Sequence, residues 1–214
     1  MLFSFHKKQL VSMTLKSTLV FFFIFIFTLN NVLAQEYNFL DSLKRCKHKK
    51  IEIENKRDMM KRMDQCYLGM KLPDFKVTSI SGDTLNTKLM RGKIIIINIW
   101  ALWCKPCIAE LPGLNDIVKK YKDKNVEFIA LTRENKESIN KFLNQNNRFL
   151  FNIVPDAKKI YYRKLDSFGF PRTIIIDKKG IIRKVFSGGI NSHKAPELIK
   201  ENIIPEIEKL LKED

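Results

Sequence analysis

Ile94-Ile-Ile-Ile-Asn-Ile-Trp-Ala-Leu-Trp-Cys-Lys-Pro-Cys-Ile-Ala-Glu-Leu-Pro112 is the stretch whose reading decides the fold. Its first six residues are almost all β-branched and apolar, the pattern of a strand covered on both faces. Cys104 and Cys107 follow where that strand ends and a helix should start. Two residues between the cysteines place them about one helical turn apart. Such a pair either cycles between dithiol and disulfide or supplies half of a zinc site. The chain has three histidines, His6, His48 and His193. None stands at a ligand spacing from the pair, and no second C-x-x-C occurs, so redox chemistry is the expectation and no metal is assigned.

The chemistry explains the arrangement. A thiolate, not a thiol, attacks a disulfide. At a helix N-terminus the free N–H groups and the helix dipole favour the ionised form, so Cys104 is expected to be the nucleophile. Lys105 adds positive charge, and Pro106 suits a first helical turn, where its missing N–H costs nothing. Cys107, one turn inside, is the expected resolving thiol. Glu110 lies three residues further on the same helix side. A carboxyl partly buried there has a raised pKa and is placed to exchange a proton with Cys107. Trp100 is read as core. Trp103 is read as an exposed rim residue that meets substrate together with Lys105 and Pro106. Pro112 should kink the helix.

The pattern W-A-x-W-C-x-P-C-x-x-E-x-P, after an apolar strand carrying Asn98, resembles the thioredoxin-like proteins of the TlpA/ResA type, which are exported bacterial thiol–disulfide oxidoreductases. The resemblance runs from about Gly69 to the C-terminus. It implies an α/β thioredoxin fold with a central mixed sheet flanked by helices, an N-terminal hairpin and an inserted αβ unit. It makes Glu110 the proton-handling residue and Asn98 the usual residue of the exported group. It also makes Pro171 a cis-proline opposite the cysteines, with the Phe170 backbone presenting to an extended substrate. Arg172 departs from the pattern, where Thr is commoner. No cofactor is implied beyond the Cys104–Cys107 couple. The implied direction is reduction of exported thiol or disulfide proteins, apocytochrome c among them, with electrons from a membrane donor.

Working back to the beginning, residues 1–34 read as a signal peptide. Lys7, Lys8 and Lys16 precede the apolar run Leu19 to Leu29, and Val32-Leu33-Ala34 offers a cleavage site. The apolar run is shorter than the roughly 20 residues that span a bilayer. Cleavage is therefore favoured over an N-terminal membrane anchor, and the expected location is the periplasm or elsewhere outside the cytoplasm. The formal net charge is +16. The lysines are scattered, often beside acids, and no nucleic-acid motif accompanies them, so a solvated basic surface is the reading and no nucleic-acid partner is expected.

Residues 35–68 read as a helical extension, with a break near Lys49 to Ile53. The methionines Met59, Met60 and Met63 are read as packing residues. Cys46 and Cys66 lie here. On one straight helix they would stand ~30 Å apart at ~1.5 Å per residue, whereas a helical hairpin would let them form a structural disulfide. Residues 69–214 form the main domain. Expected in it are a hairpin turn at Ser81-Gly82-Asp83, a strand Ile94 to Ile99, a helix Lys105 to Tyr121 and a strand Val126 to Thr132. A helix Glu134 to Asn146, a strand Phe151 to Val154 and a helix from Pro155 to Tyr162 should follow. After Phe168-Gly-Phe-Pro171 come a strand to Asp177, a turn to Gly180, a strand Ile181 to Phe186, and a helix Ala195 to Leu211 kinked or broken at Pro205. The rival function is a copper metallochaperone using the cysteine pair and His193, although copper carriers of related fold space their cysteines by three residues rather than two.

Overall fold

The computed structural model describes residues 39–46, 56–145, 147–167 and 169–213. The signal segment, the break near Lys49 to Ile53, His6 and His48 lie outside them. Residues Phe39–Asp214 form one compact unit. Helix α1 (39–46) and helix α2 (Lys56–Gln65) lead into a two-stranded antiparallel hairpin, β1 (Lys76–Thr78) and β2 (Thr84–Asn86). The main sheet contains β3 (Ile94–Ile99), β4 (Val126–Leu131), β5 (Asn152–Val154), β6 (Arg172–Ile176) and β7 (Ile182–Ser187). Its order is β5-β4-β3-β6-β7. Strands β3, β4 and β5 are mutually parallel, β6 runs antiparallel to β3, and β7 runs antiparallel to β6. Helix α3 (Lys105–Tyr121) connects β3 to β4, α4 (Lys136–Asn144) follows β4, and α5 (Ala195–Lys212) closes the chain. This is the mixed sheet with flanking helices expected for a thioredoxin fold. Among the described residues no helix is long and apolar enough to cross a membrane.

The isoleucine run of β3 is explained by the two covered faces. Side chains alternate across a strand. Ile94 and Ile96 join Trp100, Leu114, Ile117, Ile199 and Ile203 on the face covered by α3 and α5. Ile95, Ile97 and Ile99 join Phe39, Leu43, Tyr67, Leu72 and Phe75 on the other. Helix α1, through Phe39 and Leu43, therefore contributes to a face of the sheet that would otherwise need a different cover. Each fully buried isoleucine contributes roughly 1.5–3 kcal/mol of transfer free energy.

Two sequence expectations are corrected. The helix expected from Pro155 begins only at Lys158 and passes at once into a π-helical turn, Ile160–Lys164. Asp156 has φ 51°, a left-handed conformation that cannot continue a helix. It is held there because its N–H donates to Glu134 O and the next N–H, of Ala157, donates to Thr132 O. Pro205 does not break α5, which is continuous from Ala195 to Lys212. Its buried stripe, Ile199, Ile203, Ile207 and Leu210, runs on both sides of the proline, and that packing outweighs one lost hydrogen bond.

Candidate active site

Cys104 is the N-cap of α3, and Cys107 N–H donates to Cys104 Sγ at 3.3 Å. The two cysteines are joined as a disulfide with Cα atoms 5.2 Å apart. Their residues are 5% and 2% exposed, so Cys104 is the more accessible, by a small margin. A donor N–H and the positive end of a helix at this position are features that favour the ionised form of a cysteine. Pro106 occupies the first helical turn. Lys105 is exposed beside it and Pro106 half-buried.

Trp100 is fully buried, and its ring meets Phe149 edge-on at 5.2 Å. Trp103 is 64% exposed. Its ring meets Phe170 edge-to-face at 5.5 Å, and Phe170 in turn meets Tyr161 at 5.7 Å. Trp103 and Phe170 thus make an apolar rim beside Cys104. The Phe170–Pro171 peptide bond is cis, and Pro171 is buried. Asn98 sits in β3 with its Nδ2 donating to Thr173 Oγ1 of β6 at 3.1 Å, an uncharged buried contact next to the site.

Glu110 is 5% exposed. Burial alone pushes its pKa up to about 8 from 4.5, because a carboxylate loses hydration there with no cation to replace it. Its carboxyl rests against the loop that leaves β7. A Cβ at Gly189 would lie 2.3 Å from Glu110 Oε1 and 3.0 Å from Pro171 Cγ. The preceding Gly188, at φ 81°, donates its N–H to Pro171 O at 2.9 Å. In sequence, Gly188-Gly189 marks only the end of the sheet. A glycine pair directly after the last strand was the available signal.

Arg172 is another residue whose role the sequence alone does not show. It is 4% exposed and makes an ion pair with Asp64 of α2 at 2.9 Å. Cys46 and Cys66 are disulfide-bonded, Cα to Cα 5.8 Å, which joins α1 to the end of α2. His193 lies exposed in the turn before α5. Among the described residues no three His, Cys, Asp or Glu side chains converge as a metal site.

Comparison with known proteins places this geometry. The sequence model of the AhpC/TSA family matches residues 68–185. A thiol-disulfide oxidoreductase ResA of Bacillus thuringiensis subsp. konkukian is 30% identical over 135 residues, covering 63% of this chain and 78% of that protein. A ResA of Geobacillus kaustophilus is 33% identical over 122 residues, covering 56% and 70%. The structure of a protein described as a thiol:disulfide interchange protein DsbE, from Chlorobium tepidum, superposes with a TM-score of 0.59 at 26% identity, covering 67% of this chain and 97% of that one. With the family pattern matched over more than half its length and a cysteine pair at the head of α3, the chain belongs to the AhpC/TSA family and is a thioredoxin-fold thiol–disulfide oxidoreductase.

Proposed function

We propose that the protein works outside the cytoplasm as a reductant of disulfides in exported proteins, with Cys104 as nucleophile, Cys107 as resolving thiol and Glu110 as the proton carrier. The observation that carries this reading is a buried carboxyl one helical turn from Cys107, with its pKa raised to about 8. In the reduced protein the Cys104 thiolate attacks one sulfur of a substrate disulfide. A mixed disulfide forms and the first substrate thiolate leaves. Glu110 takes the proton from the Cys107 thiol. The Cys107 thiolate then attacks Cys104 Sγ, the second substrate thiolate leaves, and two electrons have passed to the substrate. The chain is left in the oxidised form seen here, and a membrane dithiol donor restores it. No cofactor enters any step.

The substrate segment lies along the cis-Pro171 turn in the manner of strand addition, with Trp103 and Phe170 covering it and Lys105 and Pro106 at its edge. Apocytochrome c and other exported proteins are the substrates that the TlpA/ResA resemblance supports. The names of the relatives support exchange chemistry, and residues 1–34 support export, followed by cleavage of the signal. Cys107→Ser tests the mechanism. Incubated with a disulfide peptide, it should accumulate a mixed disulfide on Cys104, read by peptide mass. Trapping at any other cysteine, or none, contradicts the assignment.

A further inference from the structure

The walls of the site are two loops, one ending in Pro171 and the other starting at Gly188. The residues just inside them, Arg172 and Ser187, are directly opposite each other in the β6–β7 ladder. Both are bound by one carboxylate from outside the sheet. Asp64 Oδ1 accepts from Arg172 Nη2 at 2.9 Å and from Ser187 Oγ at 2.7 Å. Arg172 Nε donates to Ser187 Oγ at 2.6 Å, which closes the triangle. The remaining guanidinium nitrogen donates to Tyr67 Oη at 3.1 Å and Ser167 Oγ at 3.3 Å, and the guanidinium lies over the Tyr67 ring at 5.1 Å. Tyr67 Oη reaches the carbonyls of Leu165 and Asp166, on the segment that leads to the cis-proline.

We propose that Asp64 and Arg172 are a positioning pair for disulfide exchange, through which the N-terminal helices fix the Pro171 and Gly188-Gly189 loops against substrate and Glu110. The inference rests on the exchange reading above. A buried ion pair is a poor source of net stability, since desolvation offsets most of its attraction. Its value lies in direction: a guanidinium fork presents several donors in one fixed plane. Here those donors set the separation of two strands at the point where each enters a loop of the site. Asp64 also stands two residues before Cys66, so the Cys46–Cys66 bond restrains the helix that delivers the carboxylate. Neither Asp64 nor Arg172 touches the reacting sulfurs. They act through Pro171, the residue directly before Arg172, and through Gly188, the residue directly after Ser187, whose N–H donates to Pro171 O.

The test uses the full chain with a short disulfide peptide as substrate, kinetics being followed from pH 5 to 10. Asp64→Leu/Arg172→Met replaces the pair by apolar residues that can keep the fold, and Ser187→Ala removes only the shared hydroxyl. For both variants KM should rise by about threefold or more. The pH midpoint of exchange that is lost in Glu110→Gln should fall by about half a unit or more, as the loosened loop admits water to the carboxyl. The urea midpoint should stay near that of the parent. If the double variant does not fold, Ser187→Ala decides alone. A folded variant with the parent's KM and pH midpoint overturns the positioning role while leaving the exchange reading intact. A parent chain that does not reduce the peptide overturns both.

Discussion

Gly189 is where the carboxyl of Glu110 rests: a Cβ at that position would lie 2.3 Å from Oε1. The closeness explains why the acid is buried, since the backbone of the β7 exit loop takes the place of water. Gly189→Ala should therefore displace the carboxyl toward solvent. The Glu110 pKa should move from about 8 down toward its ordinary range. Carboxyl NMR titration of labelled glutamate checks this. A titration still near 8 in the alanine variant would mean that the loop does not set the burial.

Glu110 should also impose a pH dependence on stability. Its folded pKa, about 8, lies above the value of 4.5 for the free side chain. Between those values the unfolded chain has released a proton that the folded chain retains. Stability therefore falls as pH rises from about 4.5 to 8, and this group adds no further change outside that window. At about 1.4 kcal/mol per unit the loss is on the order of a few kcal/mol. Denaturant unfolding of the oxidised protein at pH 5 and pH 9 should show it, and Glu110→Gln should remove most of the difference. An equal difference in the variant would assign it to other groups.

Gly113 is fixed by the contact between α3 and α5. A Cβ there would stand 2.3 Å from Pro196 O and 2.7 Å from Pro196 Cα. Alanine normally favours a helix over glycine by up to ~1 kcal/mol. Here the obstruction is backbone, which cannot swing aside, so overpacking of about 1–3 kcal/mol should win. Gly113→Ala should lower the urea midpoint. A raised midpoint would show that the two helices slide apart at little cost.

The Cys46–Cys66 disulfide spans a sequence separation of 20. Closing a loop of that size removes unfolded-chain entropy worth about 3 kcal/mol. Cys46→Ala/Cys66→Ala should therefore lose about 2–4 kcal/mol of stability, read from denaturant midpoints of the oxidised proteins. A change below about 0.5 kcal/mol, the level of an ordinary surface substitution, would mean that the unfolded chain is already compact there.

The centre of the fold was readable because its signals are local. Six residues of β3 and seventeen of α3 have the bounds that the sequence suggested, Ile94–Ile99 and Lys105–Tyr121. The isoleucine run needs two covered faces, and Cys104 with Pro106 marks a helix start. The turn at Asp156 was not readable, because its conformation is set by carbonyls of the β4–α4 connection. Arg172 stood out in sequence as an unusual residue, yet its role depends on Asp64, 108 positions away. No local pattern pairs those two. Gly189 shows the same limit: the glycine is visible in the sequence, but the carboxyl against it comes from another element.

The reduction potential of the Cys104–Cys107 couple tests the proposed direction of electron flow most directly. The full chain is equilibrated in thiol–disulfide buffers, and the Cys104–Cys107 peptide is scored by thiol labelling and mass, separately from Cys46–Cys66. A value near about −270 mV, the range of thioredoxin, is expected for a reductant. A value near about −120 mV, the range of a strong oxidant, would contradict it and make the protein a donor of disulfides.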